Sequence, residues 1–308
     1  MHFLKIISKK VFLKSNHLNI ARGFTVLACL LQAGNVLAID LQPGDIKAPP
    51  PGIDLMMLSY QHSDRGDHYV AGNKVQTSTS VQSDQLQLRY THTFESFSMP
   101  SVVYVQTPVG HIASDHMPML PTHTSASGVG DTSLVYAVWP YANRETDVYW
   151  GVGAYLILPT GNYEAANASF NMGSDRYSYA LQTGCQMPIG EHMQWTAAVD
   201  GLWFTDTPNF IYPNVKYKQS GLYTMQSGLN WDIDARYSVA ATYFYTAGGL
   251  GTLNDQSMGN TTELQRYQLT LSSKWPFGKL VLQYGTDLTT KNGYFEDNRL
   301  ILRYIKAF

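Results

Sequence analysis

Three groups of residues in this sequence could do chemistry by type and spacing. The stretch "HIASDHMPMLPTH" gathers His111, Asp115, His116, Met117, Met119 and His123. Imidazole, carboxylate and thioether donors together suit a transition metal. Their intervals follow no ordered ligand motif, however, and a long polar loop collects such residues without any metal. No metal or other cofactor is expected. His92 stands among hydroxyls in "YTHTFES", as a general base beside a nucleophile would. No serine, histidine and acid follow in a recognisable order, so the sequence does not read as an enzyme. The third group is Gln85, Gln87, Arg89, Asp200, Arg266, Lys274, Asp287, Arg299 and Arg303. Each sits in a run whose alternate residues are mostly apolar. Such groups can line an interior and meet a solute through charge and hydrogen bonds.

The elements that would position this third group follow from a period of two, because a strand sends successive side chains to opposite faces. "QLQLRYTHTF" sets Leu86, Leu88, Tyr90 and Phe94 against Gln85, Gln87, Arg89, Thr91 and Thr93. "DVYWGVGAYLIL" sets Val148, Trp150, Val152, Ala154, Leu156 and Leu158 against Tyr149, Gly151, Gly153 and Tyr155. "MQWTAAVDGLWF", "GLYTMQSGLNWD" and "RYQLTLSSKW" alternate in the same way. A helix would repeat its apolar stripe every three or four residues instead.

The runs predict about twelve strands, with roughly ten to fourteen compatible with their uncertain ends. They fall near 53–63, 84–95, 99–108, 131–141, 147–158, 176–188, 193–204, 220–232, 236–247, 264–275, 279–290 and 297–308. Tight turns such as "ESF", "ANRET", "IGEH", "DID" and "PFG" follow the even-numbered strands. Longer stretches such as 109–130, 159–175, 205–219 and 248–263 follow the odd-numbered ones. Short turns at one rim and long loops at the other describe an antiparallel up-and-down transmembrane β-barrel of bacterial outer-membrane type.

The ends and the composition agree with that reading. Lys5, Lys9, Lys10, Lys14 and Arg22 precede the apolar run "GFTVLACLLQAGNVLA", the pattern of a secretory signal peptide over 1–38. A retained anchor, or a lipoprotein cleaved before Cys29, are the rival readings. Residues 39–52, rich in proline, are expected as a periplasmic lead, with the barrel over 53–308. Proline gives no ladder hydrogen bond; insertion of this lead into the lumen is the alternative. Charged residues make up 14% of the chain, well below the roughly 25% of soluble domains. Aromatics reach 13%, net charge is −2 and mean hydropathy is −0.19. No basic block suggests nucleic acid.

In lipid each unpaired backbone group costs several kcal/mol, so the sheet must close on itself. The run ending at Phe308 then becomes a seam strand with Phe308 at the periplasmic rim. Aromatics beside the short turns (Phe94, Phe97, Trp139, Tyr141, Trp195, Trp231, Tyr237, Trp275, Phe277) are expected to form an interfacial girdle. The third group faces the lumen, because an Arg or Lys on the lipid face would cost about 2–4 kcal/mol at mid-membrane. Tyr155, Ile157, Phe204, Phe244, Ile301 and Ile305 share its parity, so the lumen wall is mixed. Such a lumen is either a passage or shut by its own side chains.

"APPPGIDLMMLSYQH", "GVGD" at Gly128–Asp131, "LPTGNY" at Leu158–Tyr163, "LVLQYGTDL" and "GYFEDNRLILRYIKAF" resemble, in order along the chain, the family named for the MetA pathway of phenol degradation. The resemblance implies a Gram-negative outer-membrane barrel that passes small aromatic or other partly apolar solutes. It carries no catalytic residue. The partners implied are outer-membrane lipids, the barrel assembly machinery and a small-molecule solute. A structural or adhesive barrel acting through its outer loops is the alternative function.

Overall fold

The computed structural model describes residues 39–75, 80–115, 123–167, 170–210 and 213–308. The signal-peptide expectation over 1–38 therefore lies outside the described residues, as do His116, Met117 and Met119. Twelve long antiparallel strands form the wall. They are β1 (Asp54–Val70), β2 (Ser80–Ser96), β3 (Met99–Asp115), β4 (Thr132–Asn143), β5 (Val148–Leu158) and β6 (Ser178–Pro188). The second half comprises β7 (Met193–Phe204), β8 (Leu222–Asp232), β9 (Tyr237–Gly248), β10 (Thr262–Trp275), β11 (Gly278–Thr290) and β12 (Gly293–Ala307). Each pairs with its neighbour in sequence, and β12 pairs with β1 from Leu55↔Ala307 to Tyr69↔Gly293, closing the barrel. The Phe308 amide adds a hydrogen bond of 2.9 Å to the Asp54 carbonyl, and its ring is 71% exposed at the rim. Among the described residues no helix is long and apolar enough to cross a membrane.

The inside-out distribution of side chains follows the alternation. Leu58, Leu86, Leu88, Leu229, Leu269 and Leu302 are exposed on the outer surface, while Ser59, Gln85, Gln182, Gln226, Gln268 and Gln283 are buried inside. That is the reverse of a soluble protein and the arrangement of a lipid-facing barrel.

Four strand boundaries differ from expectation, β12 among them, which starts at Gly293 rather than 297. β1 runs on to Val70, β2 starts at Ser80 and β3 continues to Asp115, where it pairs with His123–Val129. Much of 64–83 and 109–130 is thus ladder rather than loop. Apolar alternation fades there because these segments rise above the hydrocarbon layer, where backbone pairing persists without lipid selecting one face. The β11–β12 turn spans only residues 291–292, so the outer rim is not uniformly long-looped.

Trp139 does not join the interfacial girdle. The β4–β5 ladder carries a register shift between Val138 and Tyr141, and a bulge re-aims the residues on either side of it. Trp139 turns inward, 6% exposed, while Tyr141 stays outside.

On the outer rim, two of the quoted motifs meet. Asp131 accepts hydrogen bonds from the Gly161 amide (3.0 Å) and from the amide and hydroxyl of Ser174 (3.0 and 2.5 Å). Asn162 binds the Val129 amide through its side chain at 2.7 Å and the Val129 carbonyl through its own amide at 2.8 Å. A Cβ on Gly161 would come within 2.6 Å of the Gly173 backbone, so this clasp closes only on glycine. Burial raises the Asp131 carboxyl above the ordinary carboxylate range, outweighing those donors and Arg176.

Candidate functional site: the lumen and the strand that enters it

The proline-rich lead does not hang in the periplasm. Residues 39–48 rise from the short-turn rim into the barrel, and the wall's inward polar residues hold them at successive heights. Near the rim, Lys47 pairs with Asp147 at 2.5 Å and Arg144 donates to the Pro49 carbonyl at 3.1 Å. Above it, the Trp139 indole donates to the Ile46 carbonyl at 2.6 Å. Ile46 and Ala48 are buried with Val102, Trp139 and Tyr149. A Cβ on Gly184 would lie 3.0 Å from Ile46 Cδ1 and 2.9 Å from Ala198 Cβ, so glycine makes room for the lead. Gln283 donates to the Gln42 side chain, Gln226 accepts from the Leu41 amide at 3.1 Å, and Gln182 donates to the Ile39 carbonyl at 2.7 Å.

The reason is physical. A twelve-stranded barrel is wider than the eight-stranded kind that side chains alone can fill. Proline bars the lead from a central strand of the wall, but nothing bars it from the interior. There its exposed carbonyls and amides find glutamine partners, as buried backbone groups must.

Deep in the lumen Asp40 of the lead joins a charge cluster. Nη2 of Arg266 donates to both carboxylate oxygens of Asp40 at 2.7 Å, and its guanidinium lies 4.4 Å from the Phe244 ring centre. Arg299 reaches Asp40 at 3.3 Å and Glu296 at 2.8 Å. Arg65 binds Glu296 at 2.9 Å, and Ser63 donates to the same carboxylate at 2.5 Å. Asp287 accepts from the Glu296 amide at 2.8 Å and from Thr290 at 3.0 Å. Buried ions persist only when paired and hydrogen-bonded, and here one of the partners, Asp40, belongs to the lead.

Between lead and wall lies a cavity of about 380 Å³, within the range of small-ligand pockets. Of the residues expected inside, Gln85, Gln87, Arg89, Arg299 and Arg303 line it. Arg266 and Asp287 line a smaller neighbouring cavity with Arg65 and Glu296. Asp200 is buried on the wall beside Gln182, 3.5 Å away, and lines neither cavity. Lys274 shares the inward parity but is exposed at the periplasmic end of β10, so it is a rim residue rather than a lining one. Apolar side chains complete the main cavity, among them Met57, Val102, Val135, Tyr155 and Ile301.

His92 and His111 have ordinary partners. His92 Nδ1 lies 2.8 Å from Asp54, and His111 Nδ1 lies 2.7 Å from Ser127. Among the described residues no three histidine, cysteine or acidic side chains gather as a metal site would require.

Sequence reasoning missed Asp40, Arg65, Glu296, Tyr104 and Gln106. Gln61, Ser63 and Arg65 continue the inward parity of β1, and following it past the apolar run would have found Arg65. Glu296 could not be found that way, because a register shift beside it puts an even-numbered residue among odd-numbered inward ones.

A closed twelve-stranded barrel with an apolar belt, a charged lumen and a cavity along its interior defines an outer-membrane channel of porin-like architecture. The crystal structure of an outer membrane channel from Pseudomonas putida F1 superposes with a TM-score of 0.82 at 27% identity, covering 87% of this chain and 100% of that one. The β domain of the Bordetella autotransporter BrkA matches with a TM-score of 0.51 at 7% identity, covering 83% of this chain and 100% of that one, a likeness of fold alone. No curated protein matches the chain by sequence. The family model described as MetA-pathway of phenol degradation matches residues 63–304. The chain belongs to that family.

Proposed function

We propose that this barrel passes small, partly apolar solutes, aromatic ones among them, across the outer membrane of a Gram-negative bacterium. The observation that carries the reading is the cavity of about 380 Å³ between lead and wall, lined by both charged and apolar side chains. A wholly polar lumen would suit sugars and ions. A sealed one would suit a structural barrel. In this reading Gln85, Gln87, Arg89, Arg299 and Arg303 meet the solute, and Arg266 and Asp287 support the lead. Asp200 and Lys274 stay outside the path. The lipid-facing belt also makes the chain a client of the barrel assembly machinery, with β12 as the closing strand.

The test is passage. Purified protein in liposomes should admit small aromatic solutes faster than empty vesicles do, and planar bilayers should show discrete conductance steps. Vesicles that stay sealed to both ions and aromatic solutes would refute the reading.

A further inference from the structure

Three arginines near the top of the lumen are matched by Asp40 and Glu296. Two further arginines are not matched. Arg89 on β2 and Arg303 on β12 both line the main cavity. They flank β1, where Arg89 stands opposite Met57 and Arg303 opposite Ser59. Adjacent strands lie about 4.8 Å apart, so the two side chains project into the same space from either side of one strand. Arg89 Nε donates to Gln106 at 2.8 Å and Arg303 Nε donates to Ser59 at 3.2 Å. These bonds hold the roots of the two guanidiniums. Among the described residues no carboxylate lies within the 4.0 Å of an ion pair with either. Asp45 and Asp40 of the lead act on Arg303 only from beyond that distance.

The cavity's two acids, Asp40 and Asp45, both stand on the lead, and with neither in ion-pair contact with Arg89 or Arg303 the two like charges leave room for an anion between them. The neighbouring residues describe the rest of the occupant. The Tyr104 ring lies 4.3 Å from the Arg89 guanidinium and meets Tyr155 edge to face at 6.5 Å. Met57, Val102 and Ile301 add aliphatic surface to the cavity. Arg is the side chain best suited to a planar carboxylate.

We infer that Arg89 and Arg303 form a binding site for small carboxylates with an apolar body, the carboxylate between the guanidiniums and the body against Tyr104 and Met57. The inference rests on the proposed solute passage for its biological use and names the solute class. The binding site itself can be tested without passage.

The probes are benzoate, its neutral counterpart benzyl alcohol, and acetate, which carries the charge without the body. Calorimetry on the full chain in detergent should show benzoate binding at least about tenfold more tightly than either, the weight of one charge-assisted pair. Arg89→Gln and Arg303→Gln should each weaken benzoate by about tenfold and benzyl alcohol by much less. Arg303→Lys, which keeps the charge, should fall between. The comparison of the three probes on the unaltered protein needs no variant to fold. If benzyl alcohol binds as tightly as benzoate, or the glutamine variants bind benzoate undiminished, the site is refuted. If acetate equals benzoate, the site is a simple anion site and the apolar half of the inference falls. Benzoate binding in detergent together with sealed vesicles would sink the passage reading and leave the site standing. Swelling without benzoate preference would do the opposite.

Discussion

Alanine at position 40 removes the carboxylate that Arg266 grips at 2.7 Å and that Arg299 reaches at 3.3 Å. Arg299 keeps Glu296 at 2.8 Å. Arg266 keeps no carboxylate within ion-pair distance among the described residues, and it is only 3% exposed. Breaking a buried pair from one side costs about 3–5 kcal/mol, and Asp287, opposite Arg266 on the next strand, and Glu296 in the same small cavity bring the cost towards the lower figure. The cost falls on the seated state of the lead alone. With the lead withdrawn, Arg266 faces a water-filled lumen. The ratio of seated to unseated lead therefore drops roughly a hundredfold to several thousandfold. Single-channel recording in planar bilayers reads this as a shift towards longer and larger open levels. Lys47→Ala is the control: its pair with Asp147 lies at the rim with the lysine side chain 52% exposed. Such pairs contribute about 0–1 kcal/mol, so its recordings should resemble wild type. Arg266→Met in the Asp40→Ala background removes the stranded charge and should restore much of the closed behaviour. If Asp40→Ala conducts as wild type does, or the second change restores nothing, the cluster does not hold the lead.

The remaining predictions are local. Leu88→Arg places a charge on the lipid face, where Leu88 is 51% exposed; unfolding from vesicles should show about 2–4 kcal/mol of lost stability. Gln87→Lys, one residue away and facing the cavity, should instead shift the reversal potential with little change in stability. Trp139→Phe strands the Ile46 carbonyl that now accepts a bond of 2.6 Å, a loss of about 1–3 kcal/mol; its open probability should lie between wild type and Asp40→Ala. Burial raises the Asp131 carboxyl above its ordinary range, so its folded state binds a proton more tightly than its unfolded state. The stability from that proton is fully present below the ordinary carboxylate pKa of about 3.9 and is lost as pH rises through the raised value. Protease resistance of the outer loop over 159–177 should therefore increase on acidification in wild type and stay flat in Asp131→Asn, which cannot titrate.

The wall was legible because lipid enforces it. Where "QLQLRYTHTF" borders hydrocarbon every second residue must be apolar, and Leu86, Leu88, Tyr90 and Phe94 show that constraint as a period of two, with His92 the one departure. Beyond the hydrocarbon the constraint lapses, and there the reading stopped too early: Arg65 and Asp115 lie in strands whose ladders continue without an apolar face. Inward-facing residues were legible as a parity, so Arg89, Arg299 and Arg303 were found, while bulges hid Glu296 and misplaced Trp139. The lead was illegible for a different reason. Proline said only where residues 41–52 could not go, and the glutamines that receive them, Gln182, Gln226 and Gln283, looked like any polar lumen wall. Their role is a pairing across 143 to 241 residues of sequence, which no local pattern records.

The character of those contacts bears on how a plugged barrel can also be a passage. The lead's large apolar groups are Ile46, buried in one apolar cluster of the wall with Leu41 against it, and Ile39, packed on a second. Most of its attachment is by hydrogen bonds and one ionic cluster, each facing a lumen that water can enter. A hydrogen bond contributes about 0.5–1.5 kcal/mol net, and fixing each residue of backbone opposes it by about 1–2 kcal/mol. A segment held on such terms is seated by small margins, and removing one strong contact should move it. The wall has no such freedom, since every strand is paired on both sides and opening any seam would expose backbone to lipid. Of the two, only the lead can move without exposing backbone to lipid, and Asp40→Ala, which removes its strongest ionic contact, is the change that tests whether it does.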